Sequence, residues 1–282
     1  MKIYNISKIF DPIKNSPKFG RRTAFSIGKI RSLMARFDLF FSPNDYYISN
    51  LKNKHKGERA FIVATGPSLR ISDLDSIKNE ICFGCNKIFL AFDRTSWRPT
   101  YYTVIDVLVA EQNAQIIKSL PLTKIFPEDI KNYFTESKDI IWVKHRMPLQ
   151  PDAIKFSNDL LDCVYGGWTV IYTQLQLAYY MGINHLYLIG LDFFFKTPNP
   201  SGEKCIYGPV LRGKGEINHF DHRYREIDEK WSVPQLDKQY RAFSKAKKIY
   251  QKNKREILNA SRESKLNLFP RVNFDSLFNF IP

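Results

Sequence analysis

Short apolar runs, bounded by Gly, Pro, Asn or Asp, recur through the middle of the chain at 59–64, 81–85, 100–105, 123–126, 140–143 and 185–190. Runs of that length between turn residues predict strands. Between them the spacing changes to that of helices, over 107–119 and from about 168 to 181. A basic helix at 235–253 and a last strand at 256–260 complete the series. Strands alternating with helices predict an α/β fold, with a mostly parallel sheet and helices on both faces.

The first fifth of the chain follows a different rhythm. Over 21–41, Ile27, Ile30, Met34, Phe37 and Phe41 fall on one helix face, while Arg22, Lys29 and Arg36 recur every seven residues on another. Such a helix can lie in the interface of an anionic membrane, or pack on the main domain with its basic face in water. The polar stretch 53–58 reads as a linker. It divides the chain into a basic helical extension, 1–56, and an α/β nucleotide-binding domain, 57–282. Within that domain 196–235 is rich in Pro, Gly and charge, and reads as a long loop or partly helical lid.

Charge changes this picture more than bulk composition does. The 282 residues are 44% hydrophobic and 25% charged, which is ordinary for a globular protein, but the formal charge is +15. The excess sits mainly in 1–56 and about 238–271, so an anionic partner is expected at the periphery. No secretory leader follows Met1, and the longest apolar run, 186–195, is interrupted by Asp192 and too short to span a bilayer. A cytoplasmic protein, peripheral at the inner membrane face, is expected. Cys82 and Cys85 form a Cys-x-x-Cys, but on a strand such residues point to opposite faces; buried reduced thiols are expected rather than a metal site or a disulfide.

In a parallel sheet wound in both directions, ligands collect beyond the carboxyl ends of the strands. Thr65-Gly66-Pro67-Ser68, Asn86, Asp106 and Asp192 all fall there. Gly66 permits close backbone approach, Pro67 fixes φ, and Ser68 supplies a hydroxyl, so the turn is a candidate phosphate cradle or a plain strand-to-helix turn capped by Ser68. Gly166 and Gly167 precede a second predicted helix, with Thr169 adding a hydroxyl. Asp106 and Asp192 can bind a ribose, hold Mg²⁺ with phosphates, or cap helices. His219 in the lid can act as a general base near neutral pH. The pair His219 and His222 lacks an obvious third metal ligand.

Taken together, Gly66-Pro67-Ser68-Leu69, Phe83-Gly84-Cys85-Asn86 and Tyr187-Leu188-Ile189-Gly190-Leu191-Asp192-Phe193 resemble, in order and spacing, bacterial sialyltransferases built on one Rossmann-like domain. Gly166-Gly167-Trp168-Thr169-Val170, Gln176-Leu177-Ala178-Tyr179-Tyr180-Met181-Gly182 and Phe269-Pro270-Arg271-Val272-Asn273-Phe274-Asp275-Ser276-Leu277 resemble a related group. That group holds the archaeal 6-hydroxymethylpterin diphosphokinase and the glycosyltransferase domain of flagellar motility-associated factors. The likeness spans about residues 57–277. It implies that the Gly66–Ser68 turn, Asn86 and the helix reached through Gly167 hold a nucleotide-activated donor, with His219 deprotonating the acceptor hydroxyl. Two positions depart from the sialyltransferases. Phe194 stands where they carry a phosphate-contacting Tyr, a role Tyr207 can fill from the loop. Asp106 stands where they have Asn, which fits Mg²⁺ and the diphosphokinase better.

Three functions follow. The first is a glycosyltransferase moving a sugar, sialic-acid-like in one version, from a nucleotide-sugar donor to a glycan or lipid-linked acceptor with inversion; it requires no cofactor. The second is a Mg²⁺-dependent diphosphokinase acting on a small alcohol, with Asp106 and Asp192 on the metal. The third, a non-enzymatic nucleic-acid binder, explains the charge but gives no reason for an Asn, two Asp and a phosphate turn at one sheet edge. Nucleic acid is therefore not the expected partner.

Overall fold

The computed structural model describes residues 2–3, 21–134, 139–148, 150, 153–197, 204–205, 208–212 and 215–278. At its centre is a seven-stranded sheet of β3 (Arg59–Val63), β4 (Ile81–Cys85), β5 (Tyr101–Thr103), β6 (Thr123–Pro127), β7 (Ile140–Val143), β10 (His185–Ile189) and β14 (Glu256–Asn259). Their order is β14-β10-β3-β4-β5-β6-β7, and every neighbouring pair is parallel. The chain winds outward from β3 to β7, then returns to the other side of β3. It is an α/β fold of the Rossmann-like type, as the strand–helix alternation leads one to expect.

Alternate residues of each strand feed different cores. Ile62, Phe83, Cys85 and Tyr101 pack against α5 (Val170–Tyr180) and α6 (Leu236–Lys252). Phe61, Val63, Cys82 and Tyr102 pack on the opposite face, with α3 (Ile71–Ser76) and α4 (Val107–Ser119). Helices therefore cover both faces, and Cys82 and Cys85 are separated by the sheet itself. Burial pushes both thiols up to about 12, which keeps them protonated and inert. Two buried glutamines of α5 tie it to the strands. Gln174 Nε2 donates to the Gly84 carbonyl at 2.8 Å, while Gln176 Oε1 accepts from Ser157 and Tyr165 amides, both at 2.9 Å. Each such bond is worth about 1 kcal/mol net, but leaving its buried partner unpaired costs more.

The N-terminal part differs from its sequence reading. The helix α1 (Arg21–Ala35) stops short of 41, because Asp38 takes φ 55° and turns the chain into β2 (Leu39–Phe40), which pairs with β1 (Lys2–Ile3). Phe41 is thus off the helix. A second helix, α2 (Pro43–Asn50), has no counterpart in the sequence reading; Ser42 caps it, accepting the Asp45 amide at 3.2 Å. Asn44 pairs with the backbone of β7: Nδ2 donates to the Trp142 carbonyl and Oδ1 accepts its amide, both at 2.8 Å. A side chain thereby occupies part of an exposed sheet edge. The polar stretch 53–58 is fastened to the end of α5, with Asn53, His55 and Gly57 amides donating to the carbonyls of Tyr180, Met181 and Gly182.

Within 196–235, where a long loop or partly helical lid was expected, the described residues hold three short antiparallel strands, β11 (Lys204–Cys205), β12 (Gly208–Arg212) and β13 (Lys230–Ser232), and one 3₁₀ turn, His222–Tyr224. A further parallel pair joins β8 (His145–Arg146), just after β7, to β9 (Val164–Tyr165), just before α5. Among the described residues no helix is long and apolar enough to cross a membrane.

Candidate active site

The strand order reverses between β3 and β10, the point at which open parallel sheets bind ligands. Residues just beyond β3, β4, β5 and β10 line one cleft there, with the start of α5 and the segment around 218–235 completing it. Its two lobes share Asn86, Thr169, Val170, Phe195, His219 and Gln239. Counted together with the open solvent at their mouths, they span about 900 and 600 Å³. Thr65, Gly66 and Asp192 line the smaller lobe, Asp106 the larger, and Asn86, Thr169 and His219 both. Pro67 and Ser68 are not part of that lining. Tyr207 lies outside the described residues.

The turn after β3 is locked rather than open. Ser68 donates both its amide, at 2.8 Å, and its hydroxyl to the Asp192 carboxylate, so Asp192 holds the turn across the strand reversal. The Gly66 amide donates to Gly190 at 2.8 Å and the Leu69 amide to Gly66 at 3.1 Å, while Pro67 has no N–H. A Cβ at Gly66 would stand 2.6 Å from the Gly190 carbonyl oxygen and 2.8 Å from Asp192 Cγ. Gly66 is therefore required for packing between two strand ends. Ser68 does not cap α3, whose N-cap is Arg70. Burial raises the Asp192 carboxyl against the lowering pull of Ser68.

Asp106 is the N-cap of α4, accepting the Leu108 amide at 2.8 Å. Burial raises its carboxyl too, opposed by the helix amides and Arg225. Among the described residues no group of three or more His, Cys, Asp or Glu side chains is placed to hold a metal. Asp106 and Asp192 line separate lobes and each is already bonded to backbone amides, so as a pair they do not fit a Mg²⁺ site. Thr169 caps α5 by accepting the Ile171 amide at 3.3 Å, which leaves the first amide of that helix without an intrahelical acceptor at the cleft. Gly166 and Gly167 stand beside the cleft. A Cβ at Gly166 would stand 3.1 Å from His145 Nε2, and one at Gly167 would meet the Tyr172 ring, so close packing accounts for both.

His219 is the most constrained side chain in the cleft. Its Nδ1 is 2.9 Å from Glu216 Oε2, and its ring stacks on Tyr224 at 3.6 Å between centroids and 4° between planes. Glu216 is fully buried and also faces Arg225 at 3.2 Å. Burial lowers the imidazole below the ordinary histidine value; Glu216 pulls it back up, and Arg225 and Lys87 add to the lowering. Burial raises the Glu216 carboxyl, but His219 and Arg225 outweigh it and hold the group ionised. Phe220 donates its amide to Thr65 at 3.0 Å, and Asn218 clamps the Lys196 backbone at 2.7 and 2.9 Å, so this segment is fixed to two strand ends. The arrangement sets an imidazole held below its ordinary value beside an ionised carboxylate, the pairing that a general base and its orienting group would use.

Two signs of unmet demand accompany this pair. Asn86, Trp168 and Phe193, all lining the cleft, have φ of 47°, 58° and 55°, in the left-handed region that side chains other than Gly rarely adopt. Such outliers cluster at functional sites. In addition, Asn86 Oδ1 and Trp231 Nε1 are buried without a hydrogen-bond partner. One can accept and the other donate to a ligand. Trp231 also stacks under the Arg225 guanidinium, 3.6 Å from the ring centre.

Sequence reasoning missed Glu216, Arg225, Trp231 and Gln239, which holds the Trp168 carbonyl at 3.0 Å. The available signal for Glu216 was an acid three residues before His219, but without a helix that spacing does not bring two side chains together. Cys163 is a third buried free thiol, away from the cleft lining.

A family model described as 6-hydroxymethylpterin diphosphokinase MptE-like matches residues 38–198. The match takes in the strand ends at Gly66, Asn86, Asp106 and Asp192 and stops before His219. No curated protein matches the chain.

Proposed function

The chain belongs to the 6-hydroxymethylpterin diphosphokinase MptE-like family, and from that premise we propose that it is a glycosyltransferase that uses a nucleotide-activated sugar. The single observation that carries this reading is the buried His219–Glu216 pair at the junction of the two lobes. A base kept neutral at neutral pH suits removal of a proton from an acceptor hydroxyl.

In this mechanism Glu216 orients the imidazole through Nδ1, leaving Nε2 to take the hydroxyl proton. The acceptor oxygen attacks the anomeric carbon as the bond to the donor's phosphate oxygen breaks, which inverts that centre. The first amide of α5 and the Arg225 guanidinium supply positive potential for the departing nucleotide phosphate. Asn86 Oδ1 accepts from the donor, and Trp231 Nε1 with Phe195 and Trp168 forms the aromatic wall against which a ring packs.

A second reading, transfer of diphosphate from ATP to a small alcohol, draws on the description of the family model. It needs Mg²⁺, for which Asp106 and Asp192 as a pair do not offer a site, and we derive no step through a metal. One experiment separates the two: thermal shift with CMP, CDP, UDP, GDP and ATP, with and without Mg²⁺, followed by turnover of the corresponding nucleotide sugars. Stabilisation by a nucleotide without metal, and donor turnover lost in His219→Gln, are expected. Stabilisation by ATP with Mg²⁺ alone, or His219→Gln turning over at the wild-type rate, overturns the proposal.

A further inference from the structure

A helix packed on a protein surface ordinarily turns apolar residues inward and polar ones outward. In α1, over the residues whose side chains are described (27–35), the most buried and the most exposed positions depart from that rule. Its inner side carries Gly28, so close to Asp162 that a Cβ there would collide, and Arg31, whose guanidinium bonds both Asp45 oxygens at 3.0 and 2.5 Å. Among the described residues of α1, Ala35 is the one packed against the main core. The outer side carries Ile30, Leu33 and Phe37, which are 38%, 54% and 69% exposed. Spaced by three and four residues, they form one stripe along the helix and its final turn. Lys29 and Arg36, seven apart and both exposed, edge that stripe on one flank.

This division differs from the one expected from the sequence, where Met34 and Phe41 shared the apolar face. Met34 is half-buried, Phe41 is off the helix, and Leu33 takes a place in the outward stripe. The position is also informative. Asp162, under Gly28, lies two residues before β9, and β9 pairs with β8, which leads directly into the cleft-lining Met147. The stripe is thus attached to the element that borders the cleft mouth.

We propose that this stripe docks the protein on an anionic phospholipid surface, with Ile30, Leu33 and Phe37 at the headgroup–acyl boundary and Lys29 and Arg36 among lipid phosphates. Two arguments favour lipid over a second copy of the chain. A stable protein interface buries roughly 800 Å² per partner, far more than three side chains supply. Like-charged copies, each at +15, would also repel across an edge lined by Lys29 and Arg36. An apolar stripe with a cationic border matches the reverse arrangement of a bilayer, apolar within and anionic at its face. The inference is independent of the reaction proposed above.

The test is co-sedimentation of the full chain with phosphatidylcholine vesicles and with vesicles containing about 30 mol% phosphatidylglycerol, at low and high salt. Expected are binding to the anionic vesicles only, weakening with salt, and a loss of at least about tenfold in Leu33→Glu/Phe37→Glu, with a smaller loss in Arg36→Glu. Equal binding by the double variant, equal binding to both vesicle types, or a lipid-free dimer that the double variant converts to monomer overturns the proposal. Phe37→Trp provides a second readout that preserves the apolar stripe. The emission it adds over that of the four native tryptophans is expected to be quenched by brominated phosphatidylglycerol, and an added emission that stays unquenched overturns the proposal as well.

Discussion

The cleft has two walls that differ in what their polar groups do. Along the strand ends, which lie within the family match, the carboxylates are satisfied by neighbouring donors, Asp192 taking both from Ser68 and Asp106 capping α4, and Asn86 Oδ1 is left without a partner. Along the 215–235 segment, which lies outside that match, polar groups are instead held in readiness. His219 is stacked on Tyr224 and held below its ordinary value by burial, the Glu216 carboxylate faces it and Arg225, and Trp231 Nε1 is unpartnered. The difference teaches that position at a strand end does not by itself make a residue a ligand. The strand ends build a rigid frame, and the inserted segment brings to it His219, the base of the proposed reaction.

The largest effects that sharpen this contrast concern the inserted wall. His219→Ala is expected to lower turnover by about 10²- to 10⁴-fold with little change in nucleotide affinity, measured by steady-state kinetics and calorimetry. Glu216→Gln is expected to lower turnover less and to move the acid limb of the pH–rate profile further down. The sign follows from charge: the Glu216 anion raises the His219 value, and burial and Arg225 lower it. Removing the anion leaves only the lowering influences. An upward movement of that limb would show that Glu216 is not the group facing the base.

The frame should respond differently. Asp192→Ala leaves the Ser68 amide unpaired and is expected to cost about 1–3 kcal/mol in denaturant unfolding. Gly66→Ala forces a Cβ against Gly190 and Asp192 and is expected to cost a similar 1–3 kcal/mol or so through overpacking. Asp106→Ala, the loss of a helix cap, is expected to cost about 1 kcal/mol. If these variants keep full stability yet lose nucleotide binding, the strand-end carboxylates are ligands after all and the contrast fails.

Much of the fold was legible because strand length, β-sheet burial and helix spacing act locally. The ranges expected for β4, β7 and α4 coincide with those observed. What escaped depends on contacts distant in sequence. Asn44 folds back on Trp142, and β12 pairs with β13 across 17 residues, neither of which leaves a periodic trace. At the cleft, the sequence supplied His219, Asn86 and the strand-end carboxylates. It could not supply their contacts: Asp192 is bonded to Ser68, and His219 stands against Glu216 and Tyr224. Glu216 and Arg225 escaped because buried charge in a Pro- and Gly-rich segment looks the same in sequence as solvated charge.

The chain has only five histidines, so their imidazole resonances can be followed individually by NMR. The central claim, that His219 is a neutral, carboxylate-oriented base inside a nucleotide site, is tested by titrating them in wild type and in Glu216→Gln, with and without the nucleotide that binds. The expected result is a His219 midpoint below the ordinary histidine value, lower still in the variant, with His219 signals shifted by nucleotide and those of exposed His185 unmoved. A His219 midpoint at or above the ordinary value, or nucleotide-induced shifts that bypass His219, would contradict it.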